Sequence, residues 1–398
     1  MLELLMLKFS AVAKFSLATG IALTLGFVVT ADQAFGLAQN VSTVFRLDNT
    51  NPEILLRNWG LDNKEQASHI NARKAWKITR GDKKIIVAVI DTGIDATHPD
   101  LKDNICKKAG SDEYGWDFVT NTKNPGDKHG HGSHVAGIIG ATGKGNTGAS
   151  GVAPNVCIMA VRYYSDTATG AQNLANTVKA INYAVDNGAN IINYSGGGAE
   201  FSAAEMAAIK RAESKGIIFV AAAGNEYQNT DEAANAYYPA AYGLTNIIAV
   251  AATNIKNQLL PSSNWGKKHV HVAAPGENVY STLPKGRYGY LTGTSQATAY
   301  VSGEAALILS ENPNLKPSEV RDIIMASADK LDNLTSKIAS GGRINAYAAL
   351  RMTIAKRDGK DSKLLLALDK EDKAQELASA AIPPVKESAI IHRDVAFH

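Results

Sequence analysis

The chain has 398 residues, enough for a large buried core, and its 45% hydrophobic and 20% charged content is the balance of an ordinary globular protein. A disordered or fibrous chain and a small stapled scaffold are excluded on those grounds. With 41 basic residues against 38 acidic, the formal charge of +3 is too even to argue for a nucleic-acid or membrane-surface partner.

The first segment is unlike the rest. Lys8 and Lys14 precede an apolar run over 15–30, and small residues follow. That is the layout of a cleavable export signal, and about 16 apolar residues fall short of the ~20 that span a bilayer as a helix. Residues 1–31 are therefore expected to be removed, leaving an exported protein, secreted or periplasmic, with no permanent membrane anchor. Val29-Thr30-Ala31 and Gly36-Leu37-Ala38 both suit a signal peptidase, so cleavage as late as 38 is equally open, and Met6 is an alternative start. No cysteine follows the run to carry a lipid. An extension over 39–70 then leads into the main body.

From Lys83 onward, short runs rich in Ile and Val at 85–90, 157–161, 191–194, 217–222, 247–251 and 270–273 alternate with helix-like stretches. Nearly continuous apolar runs of this length are strands buried on both faces. Helices are expected over 173–186 and 203–214, with Gly188 and Gly216 placed to stop them. The pattern predicts an α/β fold of three layers, α/β/α, around a mostly parallel sheet. After Ser295, Val301, Ala305 and Ile308 fall at helical spacing, so a buried helix starts at or near that serine, and a surface helix begins around Pro317. The main domain is assigned to 71–352. Residues 353–398 read as a tail: 356–373 is dense in charge and Pro383-Pro384 breaks any helix before it, leaving a loosely packed segment and a docked helix both open. The only cysteines, Cys106 and Cys157, are open to a disulfide or to two buried thiols.

Three islands place reactive side chains among glycine and small residues. Val-Ala-Val-Ile-Asp-Thr-Gly-Ile-Asp at 87–95 puts Asp91 at the carboxyl end of a buried strand, where open parallel sheets assemble their sites. A turn-capping aspartate is the plainer explanation for it. His-Gly-His-Gly-Ser-His-Val-Ala-Gly at 129–137 suggests a metal, but a zinc pair on one helix wants histidines four apart with a carboxylate nearby, and His131 and His134 are three apart with none between. Leu-Thr-Gly-Thr-Ser-Gln-Ala-Thr-Ala at 291–299 presents Ser295 at a helix start, where the macrodipole favours developing negative charge. Alone, it would pass for an N-cap.

Together the islands resemble the signature segments of the subtilisin-like serine peptidases, in that family's order of Asp, His, Ser, over roughly residues 70–350. The resemblance implies Ser295 as nucleophile, His131 as general base and Asp91 as the group that orients and stabilises the imidazolium. His134 would be structural. Ala-Ala-Ala-Gly-Asn-Glu at 221–226 matches the family's oxyanion motif, which makes Asn225 the donor beside the Ser295 N–H, with Ala223 and Gly224 in the substrate wall. Ser195, Gly196 and Gly197 match the segment that lines the primary pocket and pairs with an extended substrate. Departures are Gly196 where the family has leucine, Gln296 for its methionine, Thr298-Ala299-Tyr300 for its Ser-Pro-His, and Glu304, a buried-charge candidate, for its alanine.

The same resemblance implies a monomeric endopeptidase acting on proteins or peptides, needing no cofactor for catalysis. It also raises structural calcium at Asp100, with Gly143 and Asn146 in the expected binding loop, although one carboxylate is far short of the six to eight oxygens the ion takes. Between Ala38 and Lys83 lie only about 45 residues, too few for a folded inhibitory pro-domain. Glu226, Asp231 and Glu232 near the pocket suggest either a preference for basic side chains or ordinary solvated loop acids. A silent binding relative and an esterase or transpeptidase are the rival functions.

Overall fold

Alternation along buried strands decides the layering. In the computed structural model, which describes residues 57–62, 67–108, 110–144 and 148–360, Val87 and Val89 of β1 (Ile86–Asp91) face one core, while Ala88 and Ile90 face another. The same split recurs in β4 (Ile191–Tyr194), β5 (Ile218–Ala222) and β6 (Ile247–Thr253), as the two-residue side-chain period of a doubly covered sheet requires. The expected export signal and the tail from 361 lie outside the described residues.

With β2 (Gly115–Asp117), β3 (Cys157–Arg162), β7 (Val272–Pro275), β10 (Asp329–Lys330) and β11 (Gly342–Arg343), these strands form a nine-stranded sheet in the order β10-β11-β7-β6-β5-β4-β1-β3-β2. Every pairing is parallel except β10 with β11. A separate hairpin joins β8 (Val279–Leu283) to β9 (Arg287–Leu291).

Following a short turn of helix, α1 (Ala72–Ala75), the helices α2 (His131–Gly140), α5 (Thr294–Glu311), α6 (Pro317–Ser327) and α7 (Ala346–Arg357) cover one face. The other face is covered by α3 (Gly170–Asp186) and α4 (Ala203–Ser214). The expected three-layer α/β fold is therefore the observed one.

Two expectations shift for local reasons, and one open question closes. α3 starts at Gly170 rather than at 173, because Thr169 and Gln172 form a reciprocal capping box before it. β7 starts two residues late, since the Val270 N–H is spent in a turn on Gly266 O. Cys106 and Cys157 form a disulfide across Cα atoms 5.1 Å apart, which decides the question the sequence left open.

Candidate active site

Chain reversal in the sheet sets the place. Strands run outward from β1 to β3 on one side and from β4 onward on the other, so a crevice opens at the carboxyl ends of β1 and β4. Asp91 ends β1 there, only 4% exposed, and its Oδ1 accepts the Thr92 N–H at 2.7 Å.

His131 opens α2, and its Nδ1 lies 2.8 Å from Asp91 Oδ1. The approach depends on the glycine beside it: a Cβ on Gly132 would stand 2.1 Å from Gly93 O and 3.1 Å from Asp91 Cβ. Burial opposes charge on the His131 ring, but Asp91, through its charge and hydrogen bond, and Asp127 more remotely outweigh burial and hold the pKa above its usual 6.5.

Asp127 is a residue the sequence reading missed. Its Oδ1 accepts from His129 N, Gly130 N and Thr92 Oγ1, and its Oδ2 from Ser133 N at 3.0 Å, so one carboxylate gathers the loop and caps α2. An aspartate four residues before the helix start was the available signal.

The other histidines take no part. His134 is buried with Nε2 3.0 Å from Val279 O and 3.2 Å from Gly289 O, tying α2 to the hairpin, and burial pushes its pKa down to about 4. Among the described residues no group of three His, Cys, Asp or Glu side chains is arranged to hold a metal ion.

Ser295 lies in the first turn of α5, 8% exposed. Its hydroxyl donates to Ser195 O at 3.1 Å, and Ser195 directly follows Tyr194, the register partner of Ile90. The Ser295 hydroxyl is thus tied to the residue that extends β4 beside the Asp91 end of β1. Asn225 follows β5, and its Oδ1 accepts the Thr294 N–H at 2.9 Å. The helix start leaves the Ser295 N–H without an intrahelical acceptor beside it.

The remaining sequence-selected residues divide. Ala223 and Gly224 border Asn225 on the β5 side, while Ser195, Gly196 and Gly197 run along the β4 side. In place of the leucine expected at Gly196, the Tyr163 hydroxyl occupies the space, 2.3 Å from where a Cβ would be. Asp231 accepts from the N–H groups of Lys268 and His269, and Glu232 from the side-chain amides of Asn229 and Asn235. Asp100 Oδ2 accepts from Ala149 N and Tyr288 Oη, both at 2.8 Å. Asn146 of the expected calcium loop lies outside the described residues.

A buried carboxylate holding an imidazole, next to a helix-start serine, defines the serine hydrolases that react through an acyl-enzyme. Comparison with known proteins gives the family. A family model described as the Subtilase family matches residues 82–344. Thermitase of Thermoactinomyces vulgaris is 40% identical over 71% of this chain and 94% of its own length. A thermophilic serine proteinase of a Bacillus species, strain AK1, is 41% identical over 69% of this chain and 64% of its own.

Among solved structures, a cold-adapted subtilisin-like serine proteinase aligns with a TM-score of 0.55 at 29% identity, covering 65% of this chain and 88% of its own. A protease of Pseudoalteromonas arctica aligns with a TM-score of 0.65 at 26% identity, covering 77% of this chain and all of its own. The chain belongs to the subtilase family and is a serine-type endopeptidase, a hydrolase acting on protein substrates. No helix among the described residues is long and apolar enough to cross a membrane.

Proposed function

We propose that this chain is an exported, monomeric endopeptidase that cuts unstructured protein segments, with Ser295, His131, Asp91 and Asn225 in the roles set out next. His131 Nε2 takes the Ser295 proton as Oγ bonds to the scissile carbonyl carbon. The carbonyl oxygen, now negative, is met by the Ser295 N–H and Asn225 Nδ2. His131 then gives its proton to the amine nitrogen, the C–N bond breaks, and water repeats the sequence on the acyl-enzyme. Asp91 fixes the ring tautomer throughout by accepting from Nδ1.

The observation that carries this reading is the 2.8 Å contact between His131 and the buried Asp91. Substrate would lie along Ser195, Gly196 and Gly197: among the described residues the Gly196 and Gly197 backbone is unpaired and Ser195 O accepts the Ser295 hydroxyl, whereas Gly198 is already paired both ways with Tyr238. Catalysis by these groups requires no cofactor, and Asp100 is assigned to holding Ala149 and Tyr288 in place.

The test is cleavage of casein by the purified protein, wild type against Ser295→Ala, with fluorophosphonate labelling of both. Hydrolysis and labelling lost only in the variant establish the nucleophile. A folded wild type that neither cuts nor labels would instead mark a silent binding domain, and turnover of small esters without casein cleavage would mark an esterase.

A further inference from the structure

The two strand extensions beside Ser295 enclose a gap that is already filled. We propose that Tyr237 closes the acyl-side pocket, so that the enzyme cuts after small residues such as glycine, alanine or serine. The inference rests on the roles given above to Ser295 and Asn225.

With the scissile carbon at Ser295 Oγ and its oxygen toward Asn225, the side chain of that residue leaves from the neighbouring carbon. It has to enter between the 195–197 extension of β4 and the 223–225 extension of β5. β4 and β5 are adjacent and parallel, with Tyr194 opposite Ala221, so their extensions start only ~4.8 Å apart. Space for a side chain exists only where both walls are bare backbone, and Gly197 and Gly224 supply those two places.

Both look onto one ring. A Cβ on Gly197 would stand 2.4 Å from Tyr237 Cε1, and a Cβ on Gly224 would stand 2.9 Å from Tyr237 Cε2. Opposite edges of the phenol therefore touch opposite walls. Beyond the first wall, the missing side chain of Gly196 gives no relief, because Tyr163 Oη and Tyr194 Cζ lie 2.3 Å and 3.1 Å from its Cβ position.

The tyrosine is also held. Tyr238 exchanges both backbone hydrogen bonds with Gly198, at 2.8 and 2.9 Å, and the Ala241 N–H donates to Tyr237 O at 2.9 Å. These bonds fix the backbone that carries the ring, so a bulky acyl-side residue would have to turn the ring itself out of the gap. Glu226 is the remaining charge at the gap, but its Oε2 is engaged by Asn264 Nδ2 at 2.6 Å and a Gly224 Cβ would meet it at 2.6 Å, on the same side as the ring.

Peptide p-nitroanilides that differ only at the acyl residue, carrying Gly, Ala, Leu, Phe or Lys, test the assignment. One misplaced methylene in a pocket is worth about 10-fold or more. Wild type is expected to favour Ala over Leu, Phe and Lys by at least about tenfold in kcat/KM. Tyr237→Gly should raise the Phe-to-Ala ratio by a similar factor, and Tyr237→Phe, which retains the ring, should retain the small-residue preference. Faster turnover of Leu, Phe or Lys than of Ala by wild type overturns the proposal whether or not the glycine variant folds, and so does an unchanged ratio in a glycine variant that labels with fluorophosphonate. Absence of any Ser295-dependent cleavage refutes the parent reading and this one with it, whereas a large-residue preference refutes this one alone.

Discussion

Glu304→Gln should make the protein more stable, and increasingly so as pH rises. Glu304 is wholly buried in α5, neither carboxyl oxygen has a hydrogen-bond partner, and burial, with the charge of Asp329 added, pushes its pKa well above the usual 4.5. A raised folded pKa means that above pH 4.5 the native state retains a proton the unfolded chain has released. The contribution of this group is thus fully present below about pH 4.5 and drains away as pH rises toward the folded value.

While the group stays neutral in the fold, stability falls as pH rises above 4.5, by at most about 1.36 kcal/mol per pH unit. Glutamine keeps the shape and does not titrate. Its own unpartnered amide adds a cost that is constant with pH, so the slope is the readout. Urea unfolding of both forms, in a Ser295→Ala background to prevent self-digestion, should give curves that separate steadily between pH 4.5 and 7. Curves that stay parallel over that range would refute the argument, because Glu304 would then be ionised and paired in the fold.

Asp91→Asn should lower kcat by about 10⁴, the cost of the wrong tautomer in such triads. It should also move the acid limb of the pH–rate profile downward, since Asp91, with Asp127, raises the His131 pKa against burial. Asn225→Ala should reduce kcat by about 10²–10³ with KM changed much less; the magnitude is the one known for the corresponding donor in subtilisin, and steady-state kinetics checks it. Asp329→Ala should cost about 3 kcal/mol in urea unfolding, because Arg343, 1% exposed, loses its 2.8 Å carboxylate partner and retains, among the described residues, only neutral acceptors on Ala67 and Asn257.

Local pattern made much of the molecule legible. The strand cores and the start of α6 at Pro317 follow from apolar runs and from proline's tolerance of a first turn. The hairpin β8–β9 did not, because β9 is half exposed and is held by cross-strand aromatic contacts, Tyr280 with Tyr288 and Tyr290, that no apolar run announces. α7 was passed over too, although Asn345 caps it through the Ala348 N–H. Its alanine-rich face becomes a core face only against α5.

The sequence by itself determined the layered α/β fold, the order of the three reactive residues and the family they point to, because strand burial and glycine-framed motifs are encoded over a few neighbouring residues. Only the tertiary structure decided that Cys106 joins Cys157, that Asp127 caps the helix carrying His131, that Glu304 has no partner, and that Tyr237 lies between Gly197 and Gly224. All but the Asp127 cap, which is local, depend on where crossovers bring together residues far apart in the chain. Local periodicity specifies which face of an element is buried, and packing alone specifies what it is buried against.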